Sequence, residues 1–147
     1  MVDIDRQARR DAGALIKETI MGNINHLVDR YIAMWNETDP DRRRGIISEI
    51  WTETASYRDP KLEAEGREGI DAMVQKVQAA YPGHRFKLVS DVDVHHDRLR
   101  FTWEVGVEGG PILARGLDFA VVTGEQLQSM TGFFDVINAP AKAAVAA

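Results

Sequence analysis

The chain has 147 residues, of which 44% are hydrophobic and 28% charged, with a formal net charge of −5 and no cysteine. This length suits a single domain with one core. The net charge argues against nucleic acid and against an anionic membrane surface as partners, and the lack of cysteine excludes disulfides and thiol catalysis. No apolar run reaches the roughly 20 residues of a membrane-spanning helix, and residues 1–11 lack a secretory signal, so we expect a cytoplasmic protein.

Helices dominate the first half of the sequence. Residues 1–22 are rich in helix formers and predict an N-terminal helical extension, which precedes a domain at residues 23–138. Apolar side chains then recur at three- and four-residue spacing, which places them on one face of an amphipathic helix: Ile24, Leu27, Val28, Tyr31, Ile32 and Trp35. A second helix is predicted to carry Ile46, Ile47, Ile50 and Trp51, and a third to begin near Gly69 and end at Tyr81-Pro82-Gly83.

Two further segments bear on partners and order. The basic cluster Arg42-Arg43-Arg44 follows a helix start and is interpreted as a solvated helix face rather than as a polyanion site. The alanine-rich tail, residues 139–147, is expected to be flexible.

The second half of the sequence alternates with period two. Four strands are predicted, at residues 86–89, 99–105, 113–122 and 127–134. Because the connections between them are short, neighbouring strands are expected to be antiparallel. Helices followed by such a meander predict an α+β fold, with three or four helices on one side of a curved, mainly antiparallel sheet.

A segment between the second and third helices carries a further motif. It contains Trp51-Thr52-Glu53-Thr54-Ala55-Ser56-Tyr57-Arg58-Asp59-Pro60 and then Gly66-Arg67-Glu68-Gly69-Ile70. The order of helix, short strand, carboxylate, tight loop and helix resembles the nuclear-transport-factor-2-like (NTF2-like) superfamily of cone-shaped domains, in particular its SnoaL-like polyketide cyclases and ketosteroid-isomerase-like members. The resemblance covers roughly residues 27–134.

The resemblance implies three catalytic residues. In the isomerases the Asp before Pro shuttles the proton, here Asp59, while a Tyr of the first helix and a protonated Asp of the third strand hold the substrate oxyanion, here Tyr31 and Asp118. Such a trio suits proton removal beside a carbonyl group, because the enolate needs a base on one side and donors on the other. In the cyclases the third-strand carboxylate, here Asp118, does the acid–base work alone.

Aromatic residues on the same elements predict a hydrophobic pocket. By strand alternation Phe101 and Trp103 share one face, and Met130, Gly132 and Phe134 share another, at positions that line the isomerase pocket. Large aromatic rings with a flexible Met suit a planar hydrophobic ligand. The predicted substrate-binding residues are Trp35, Tyr57, Phe101, Trp103, Met130 and Phe134.

Each candidate also has a purely structural explanation. Tyr31 has the spacing of a core residue, and Asp59 before Pro60 is a common start of a turn. Arg58 would ion-pair with Asp59 if the backbone turned there. Asp118 is harder to explain structurally, because a carboxylate in an apolar strand costs stability unless it is paired or protonated.

The sequence therefore supports two classes of function. The first is a cofactor-independent enzyme that isomerises or cyclises a hydrophobic carbonyl compound. The alternative is a non-catalytic domain that binds a hydrophobic ligand or a partner chain, since fold alone does not decide function. Both fit a homodimer, because the open face of a curved sheet needs cover.

Neither class requires a cofactor or a metal. Phosphate-binding loops and dinucleotide fingerprints are absent, so no cofactor is expected. The four histidines, His26, His84, His95 and His96, are scattered without metal-ligand spacing, so no metal site is expected.

Overall fold

The computed structural model describes residues 2–138, without the side chains of residues 2–5 and 16–20. In this part of the chain the elements are α1 (Val2–Asn36), α2 (Pro40–Ile50), β1 (Trp51–Arg58), β2 (Glu63–Glu65), α3 (Gly66–Ala80), β3 (His84–Leu88), β4 (Asp93–His95), β5 (Arg98–Val107), β6 (Ile112–Thr123) and β7 (Gln126–Ile137). The tail predicted to be flexible lies outside the described residues.

The first helix is longer than its amphipathic part. α1 runs unbroken from Val2 to Asn36, so the predicted N-terminal extension and the first helix of the domain form one continuous helix. Its apolar face is buried from Leu27 onwards, whereas Leu15 is largely exposed. Packing against the domain therefore begins near the point where the apolar periodicity of the sequence begins.

The second helix begins as the sequence predicts and ends one residue earlier. The Asp39 carboxylate caps it by accepting a hydrogen bond from the Arg42 backbone N–H, and Pro40 fills the first turn, where its missing donor costs nothing. Trp51 was predicted to belong to this helix but has an extended backbone and opens β1. Helical spacing from Ile47 and Ile50 misled the prediction, because a fully buried strand residue satisfies the same spacing.

Arg43 corrects the interpretation of the basic cluster. Its side chain is not solvated: the residue is only 1% exposed, and its guanidinium group donates to Asp71 at 2.6 Å and to Gln78 at 3.1 Å. A buried guanidinium needs such partners because an unpaired buried charge is strongly destabilising. Arg43 thus ties α2 to α3, and only its neighbours Arg42 and Arg44 face solvent.

One open sheet carries all seven strands, in the order β2-β1-β7-β6-β5-β3, with β4 paired to β5. β1 and β7 are parallel, and the other pairs are antiparallel. This confirms the predicted α+β class and the mainly antiparallel sheet. The four predicted strands are one to three residues longer at most ends, and the three-residue strands β2 and β4 were not predicted because such short segments carry no periodic signal.

Alternation along β6 sets the two faces of the sheet. Ala114, Gly116, Asp118 and Ala120 are buried, while the residues between them are half-buried. The buried face meets the three helices and forms the core with the inner residues of β5 and β7. Asp118 therefore points into the interior, as the sequence pattern predicts.

Candidate active site

Asp118 is a carboxyl group in the core of the domain. The residue is 3% exposed, and its carboxyl oxygens each accept one hydrogen bond from a neutral donor. The Tyr31 hydroxyl donates to Oδ2 at 2.7 Å, and the Trp103 indole N–H donates to Oδ1 at 2.9 Å. The structure thus brings together two of the predicted catalytic residues, and it adds Trp103, which was predicted only as a pocket residue.

A glycine explains how the indole reaches the carboxyl group. Trp103 on β5 lies opposite Gly116 on β6, two residues before Asp118. A Cβ at Gly116 would lie 2.4 Å from Trp103 Cζ2, so only glycine lets the indole lie across the strand. The hydrogen bond between Trp103 and Asp118 is therefore set by β-sheet register and by the missing side chain at Gly116.

Burial changes the titration of this site. Desolvation raises the pKa of Asp118 to about 6, against the hydrogen bonds from Tyr31 and Trp103, which lower it, and the nearby Asp59 charge raises it further. Burial also raises the pKa of Tyr31 well above its ordinary value, with the Asp118 charge as the next cause. The Tyr31 hydroxyl therefore keeps its proton near neutral pH, whereas the raised pKa of Asp118 lies within about one unit of neutrality.

Asp59 follows the end of β1 and is half-buried. Its Oδ1 accepts hydrogen bonds from the backbone N–H groups of Lys61 and Leu62, both at 2.8 Å, and its Oδ2 accepts from the Tyr57 hydroxyl at 2.7 Å. The two backbone bonds are those of an Asx turn, so the structural explanation of Asp59 as a turn residue is confirmed. They also fix the orientation of the carboxylate toward Tyr57.

Gly132 lies between the two carboxyl groups. It pairs with Asp118 across β6 and β7. A Cβ added at Gly132 would lie 2.9 Å from Asp118 Oδ1, 3.1 Å from Asp59 Cβ and 3.5 Å from the Tyr57 hydroxyl. The side chains of Asp118, Asp59 and Tyr57 thus approach one another around Gly132.

The two tyrosines join the carboxyl groups into one polar cluster. Burial raises the pKa of Tyr57 well above its ordinary value, and the charges of Asp118 and Asp59 raise it further. The polar groups thus form two hydrogen-bonded pairs, Asp59 with Tyr57 and Asp118 with Tyr31, whose charges lie close enough to interact. Of the described residues, no buried side-chain nitrogen or oxygen lacks a hydrogen-bond partner, so this cluster is internally satisfied.

Five aromatic rings line this cluster in consecutive contact. The ring centroids are 5.7 Å apart for Tyr57 and Trp35, 5.1 Å for Trp35 and Phe86, 5.7 Å for Phe86 and Trp103, and 5.9 Å for Trp103 and Phe134. Phe86 was missed in the sequence, where its position in the first predicted strand of the meander gave no sign that it packs on α1. The series begins at Tyr57, which donates to Asp59, and includes Trp103, which donates to Asp118.

The remaining predicted pocket residues lie deeper. Phe101 and Met130 are almost fully buried, and the Phe101 ring packs on Tyr31 with centroids 5.7 Å apart. They belong to the core rather than to the half-buried edge that Phe86 and Phe134 share. Phe101 thus packs on the tyrosine whose hydroxyl donates to Asp118.

Two clefts among the described residues lie away from this site. One, of about 490 Å³, lies between α1, the end of α2 and the β6–β7 turn, where His26, Glu49 and Gln126 contribute to its lining. The other, of about 170 Å³, borders the β5–β6 turn. Neither is lined by Asp118 or Asp59.

Arg58 does not pair with Asp59. Its guanidinium group donates to Glu63 at 3.0 Å and to Glu65 at 3.1 Å on β2. The antiparallel pairing of β1 with β2, which places Arg58 opposite Glu63, explains this choice. Glu63 and Glu65 therefore neutralise Arg58 and leave the carboxylate of Asp59 to Tyr57 and the backbone.

No group of three or more His, Asp or Glu side chains within the described residues is arranged to hold a metal ion. His95 and His96 do approach each other, with their Nδ1 atoms 3.2 Å apart on the exposed β4–β5 turn. They lie far along β5 from Trp103 and take no part in the carboxyl cluster. The site as described consists of acids, tyrosines and aromatic rings.

Comparison with known proteins places this fold and site in a family. The sequence pattern of the SnoaL-like domain matches residues 28–130. A crystal structure from Agrobacterium tumefaciens, of a SnoaL-like family protein whose name suggests an isomerase, is 33% identical, with 78% of this chain and 99% of that chain covered and a TM-score of 0.74. The chain belongs to the SnoaL-like family.

More distant structures share the fold. A Catenulispora acidiphila protein with a ketosteroid isomerase-like fold, in complex with trimethylamine, is 16% identical, with 75% of this chain and 85% of that chain covered and a TM-score of 0.62. A Sinorhizobium meliloti protein whose name suggests a polyketide cyclase is 13% identical, with 73% and 93% covered and a TM-score of 0.59. These similarities confirm the NTF2-like cone that the sequence motif predicts.

No curated protein matches the chain. In the part of the chain that the structure describes, no helix is both long and apolar enough to cross a membrane.

Proposed function

We propose that this protein is a cofactor-independent acid–base catalyst that isomerises or cyclises a hydrophobic carbonyl compound. The observation that carries the proposal is Asp118, a buried carboxyl group with a pKa raised to about 6 by desolvation and with a tyrosine hydroxyl 2.7 Å from Oδ2. General acid–base catalysis is most efficient when the catalytic pKa lies near the working pH. A strongly perturbed carboxyl group beside a fixed donor is typical of such sites.

The geometry suggests a separate role for Asp118, Tyr31 and Trp103. Ionised Asp118 takes a proton from the carbon beside the substrate carbonyl through Oδ2 and later returns it to another carbon, so the net proton count is unchanged. The Tyr31 hydroxyl, released from Oδ2 when Asp118 is protonated, donates to the oxygen on which the negative charge develops. Trp103 holds Oδ1 throughout, because an indole N–H donates and never accepts.

Asp59 is the alternative base, as the ketosteroid isomerases suggest. It lies nearer the surface than Asp118, on the other side of Gly132, and it is oriented by Tyr57. Two features favour Asp118 as the proton carrier: its raised pKa, and the use of one Asp59 oxygen in the Asx turn. With Asp59 as base, Asp118 and Tyr31 would act as the oxyanion donors.

The ligand-binding part of the proposal rests on the aromatic rings. Trp35, Tyr57, Trp103 and Phe134, with Phe86, would hold a hydrophobic ligand between the half-buried edge and Asp118. The names of two similar proteins, one suggesting an isomerase and one a polyketide cyclase, agree with the proposed type of reaction. A cytoplasmic location stays a prediction.

A homodimer is part of the proposal. The face of the sheet that turns away from the helices carries Phe133, which is 55% exposed, opposite Leu117 on β6. Exposed apolar groups of this kind are typical of protein–protein contacts. A second copy of the chain would cover this face.

Proton exchange on ketones tests the catalytic role. Purified protein is assayed for isomerisation of a β,γ-unsaturated 3-ketosteroid by the absorbance of the conjugated product, and for deuterium exchange beside the carbonyl of a panel of hydrophobic ketones. We expect Asp118→Asn to lower kcat/KM by about 10²- to 10⁴-fold, the usual effect of removing a general acid–base group, and Asp59→Asn to have a smaller effect. A larger loss in Asp59→Asn than in Asp118→Asn would identify Asp59 as the proton carrier. If the protein neither isomerised the ketosteroid nor exchanged a proton of any ketone, the catalytic proposal would be wrong.

One observation favours the non-catalytic alternative. The polar cluster is internally satisfied and lies among buried apolar side chains, as in a structural core. In that case wild-type protein would bind hydrophobic ligands without exchanging their protons, and Asp118→Asn would leave their affinity unchanged.

A further inference from the structure

The candidate active site contains two carboxyl groups and no cationic side chain. Asp118 is held by Tyr31 and Trp103, and Asp59 by Tyr57 and backbone N–H groups. Among the described side chains, no Lys, Arg or His lies within ion-pair distance of either carboxyl group; Arg58, the neighbour of Asp59 in sequence, pairs with Glu63 and Glu65 instead. The net charge of the site is therefore negative whenever either Asp is ionised.

The walls of the site suit a cation. The five rings in consecutive contact, Tyr57, Trp35, Phe86, Trp103 and Phe134, come from five different elements and connect the partner of Asp59 to the partner of Asp118. The faces of Trp, Tyr and Phe rings attract cations, most strongly where water is excluded, and aromatic walls recognise quaternary ammonium groups in this way. Trp35, Tyr57 and Trp103 are each at most 5% exposed, so their faces are largely shielded from water.

A cation would also offset a charge repulsion that arises in the proposed reaction. When Asp118 removes a proton it becomes neutral, but the enolate then lies near Asp59, on the other side of Gly132. Two negative charges in a poorly hydrated site repel each other strongly. A positive charge on the substrate itself would offset this repulsion without any cofactor.

We propose that this site selects a cationic ligand, a hydrophobic quaternary or protonated amine, and that the substrate carries such a group beside its carbonyl function. The second half of this inference rests on the proposed catalytic function, whereas the first half concerns binding alone. An uncharged ketone of the same shape would lose the attraction of both carboxylates and of the ring faces.

Choline and its uncharged isostere 3,3-dimethyl-1-butanol separate charge from shape, because they differ only in nitrogen for carbon. Binding of each to the full chain is measured by titration calorimetry. We expect choline to bind at least about tenfold more tightly, the effect of one well-shielded cation–π contact. In two-dimensional NMR, choline should shift the indole N–H signals of Trp35 and Trp103 more than that of Trp51, whose indole N–H faces the Met34 sulfur in the core.

Two variants and a matched control locate the charge effect. Asp59→Asn and Asp118→Asn should each reduce the preference for choline about tenfold or more and leave the affinity for the isostere nearly unchanged. Asp93→Asn removes a carboxylate that is exposed and paired with Arg100 on β5, so it should leave both affinities as in the wild type.

Three outcomes would overturn the inference. The first is that choline binds no more tightly than the isostere, and the second is that neither probe binds. The third is that Glu49→Gln, in the cleft beside α1, abolishes choline binding while the Asp variants keep it. These outcomes are independent of turnover. Proton exchange on uncharged ketones without a preference for choline would keep the catalytic proposal and remove this one, and a choline preference without exchange would do the opposite.

Discussion

Trp103 donates its indole N–H to Oδ1 of Asp118 at 2.9 Å, across the gap left by Gly116. Because an indole N–H cannot accept a hydrogen bond, a proton on Oδ1 could not be shared with Trp103, whereas a proton on Oδ2 faces the Tyr31 hydroxyl, which can accept it. Trp103 thus favours Oδ2 as the oxygen that carries the proton of neutral Asp118. This makes Trp103 a positioning residue for Asp118.

Removing this donor should change the titration of the carboxyl group. In Trp103→Phe the pKa of Asp118 is expected to rise above about 6, because the indole hydrogen bond stabilises the charged form and desolvation then acts against one donor fewer. The carboxyl ¹³C chemical shift of Asp118, followed against pH, measures this directly. Val105→Ala is the control, since it changes a buried side chain on the same face of β5 that lies opposite Ala114 rather than Asp118.

The same rise in the pKa of Asp118 should move the acidic side of the pH profile of kcat/KM to higher pH. The pH at which kcat/KM falls to half should rise together with the pKa measured by NMR in Trp103→Phe and stay unchanged in Val105→Ala. An unchanged Asp118 titration in Trp103→Phe would show that the indole does not stabilise the carboxylate.

Asp118 should also destabilise the folded protein at neutral pH. Its pKa is about 6 in the folded chain and near 3.8 in the unfolded chain, so the folded state binds more protons between these values. The free energy of unfolding therefore falls as pH rises from about 4 to 6, and the loss is complete above that window. A difference of about two pKa units corresponds to roughly 3 kcal/mol.

Asp118→Asn should remove this penalty. An amide can accept from Trp103 and donate to Tyr31, so the variant is expected to be more stable than the wild type at pH 7, by up to about 3 kcal/mol, with the difference vanishing below pH 4. Urea unfolding at several pH values measures this, with Asp93→Asn as an exposed control whose curve should parallel the wild type. A variant that is equally destabilised at every pH would contradict the titration argument.

Much of the fold was predictable because its signals are local. The apolar spacing from Leu27 to Trp35 indicates a helix with one buried face. The alternation along β5, β6 and β7 indicates strands with one buried face. Asp118 could be placed in the interior on the same grounds, since it follows the alternation of its apolar neighbours. Trp51 could not be assigned, because a residue buried in either element gives the same pattern.

The hydrogen-bond partners within the site depend on contacts between distant elements. Tyr31 and Asp118 are 87 residues apart in sequence, and Trp103 reaches Asp118 only because register places Gly116 opposite it. The partner of Arg58 depended in the same way on the unpredicted strand β2. Three-residue strands and cross-strand glycines carry no periodic signal in the sequence. The family resemblance therefore indicated which residues belong to the site but not their hydrogen-bond partners.

The outer face of the sheet should hold two copies of the chain together. In Phe133→Ser the exposed ring opposite Leu117 is lost, and we expect the dimer to dissociate at least about tenfold more readily, since truncating a central aromatic anchor typically costs more than 1 kcal/mol. Sedimentation velocity over a range of micromolar concentrations measures this. Val89→Ser, at an exposed apolar residue after β3, is the control and should leave the dimer unchanged. A wild-type chain that sediments as a monomer throughout would rule out this interface.

The missing side chain at Gly132 should be essential to the site. In Gly132→Ala the new methyl group would lie 2.9 Å from Asp118 Oδ1 and 3.1 Å from Asp59 Cβ, so the Asp118 carboxyl group must move and the Asp59 side chain is crowded. We expect a loss of about 1–3 kcal/mol in the free energy of unfolding, as for other overpacked cores, together with loss of choline binding and of any proton exchange.

A second glycine provides the control for this substitution. Gly45 lies within α2 with no atom near its would-be Cβ, so Gly45→Ala should stabilise the protein by about 0.5–1 kcal/mol through helix propensity and leave the site intact. Thermal unfolding and the two binding assays, run side by side on both variants, separate local crowding from a general effect of adding a methyl group. If Gly132→Ala kept wild-type binding and stability, the two carboxyl groups would not meet at this glycine in the way that the structure describes.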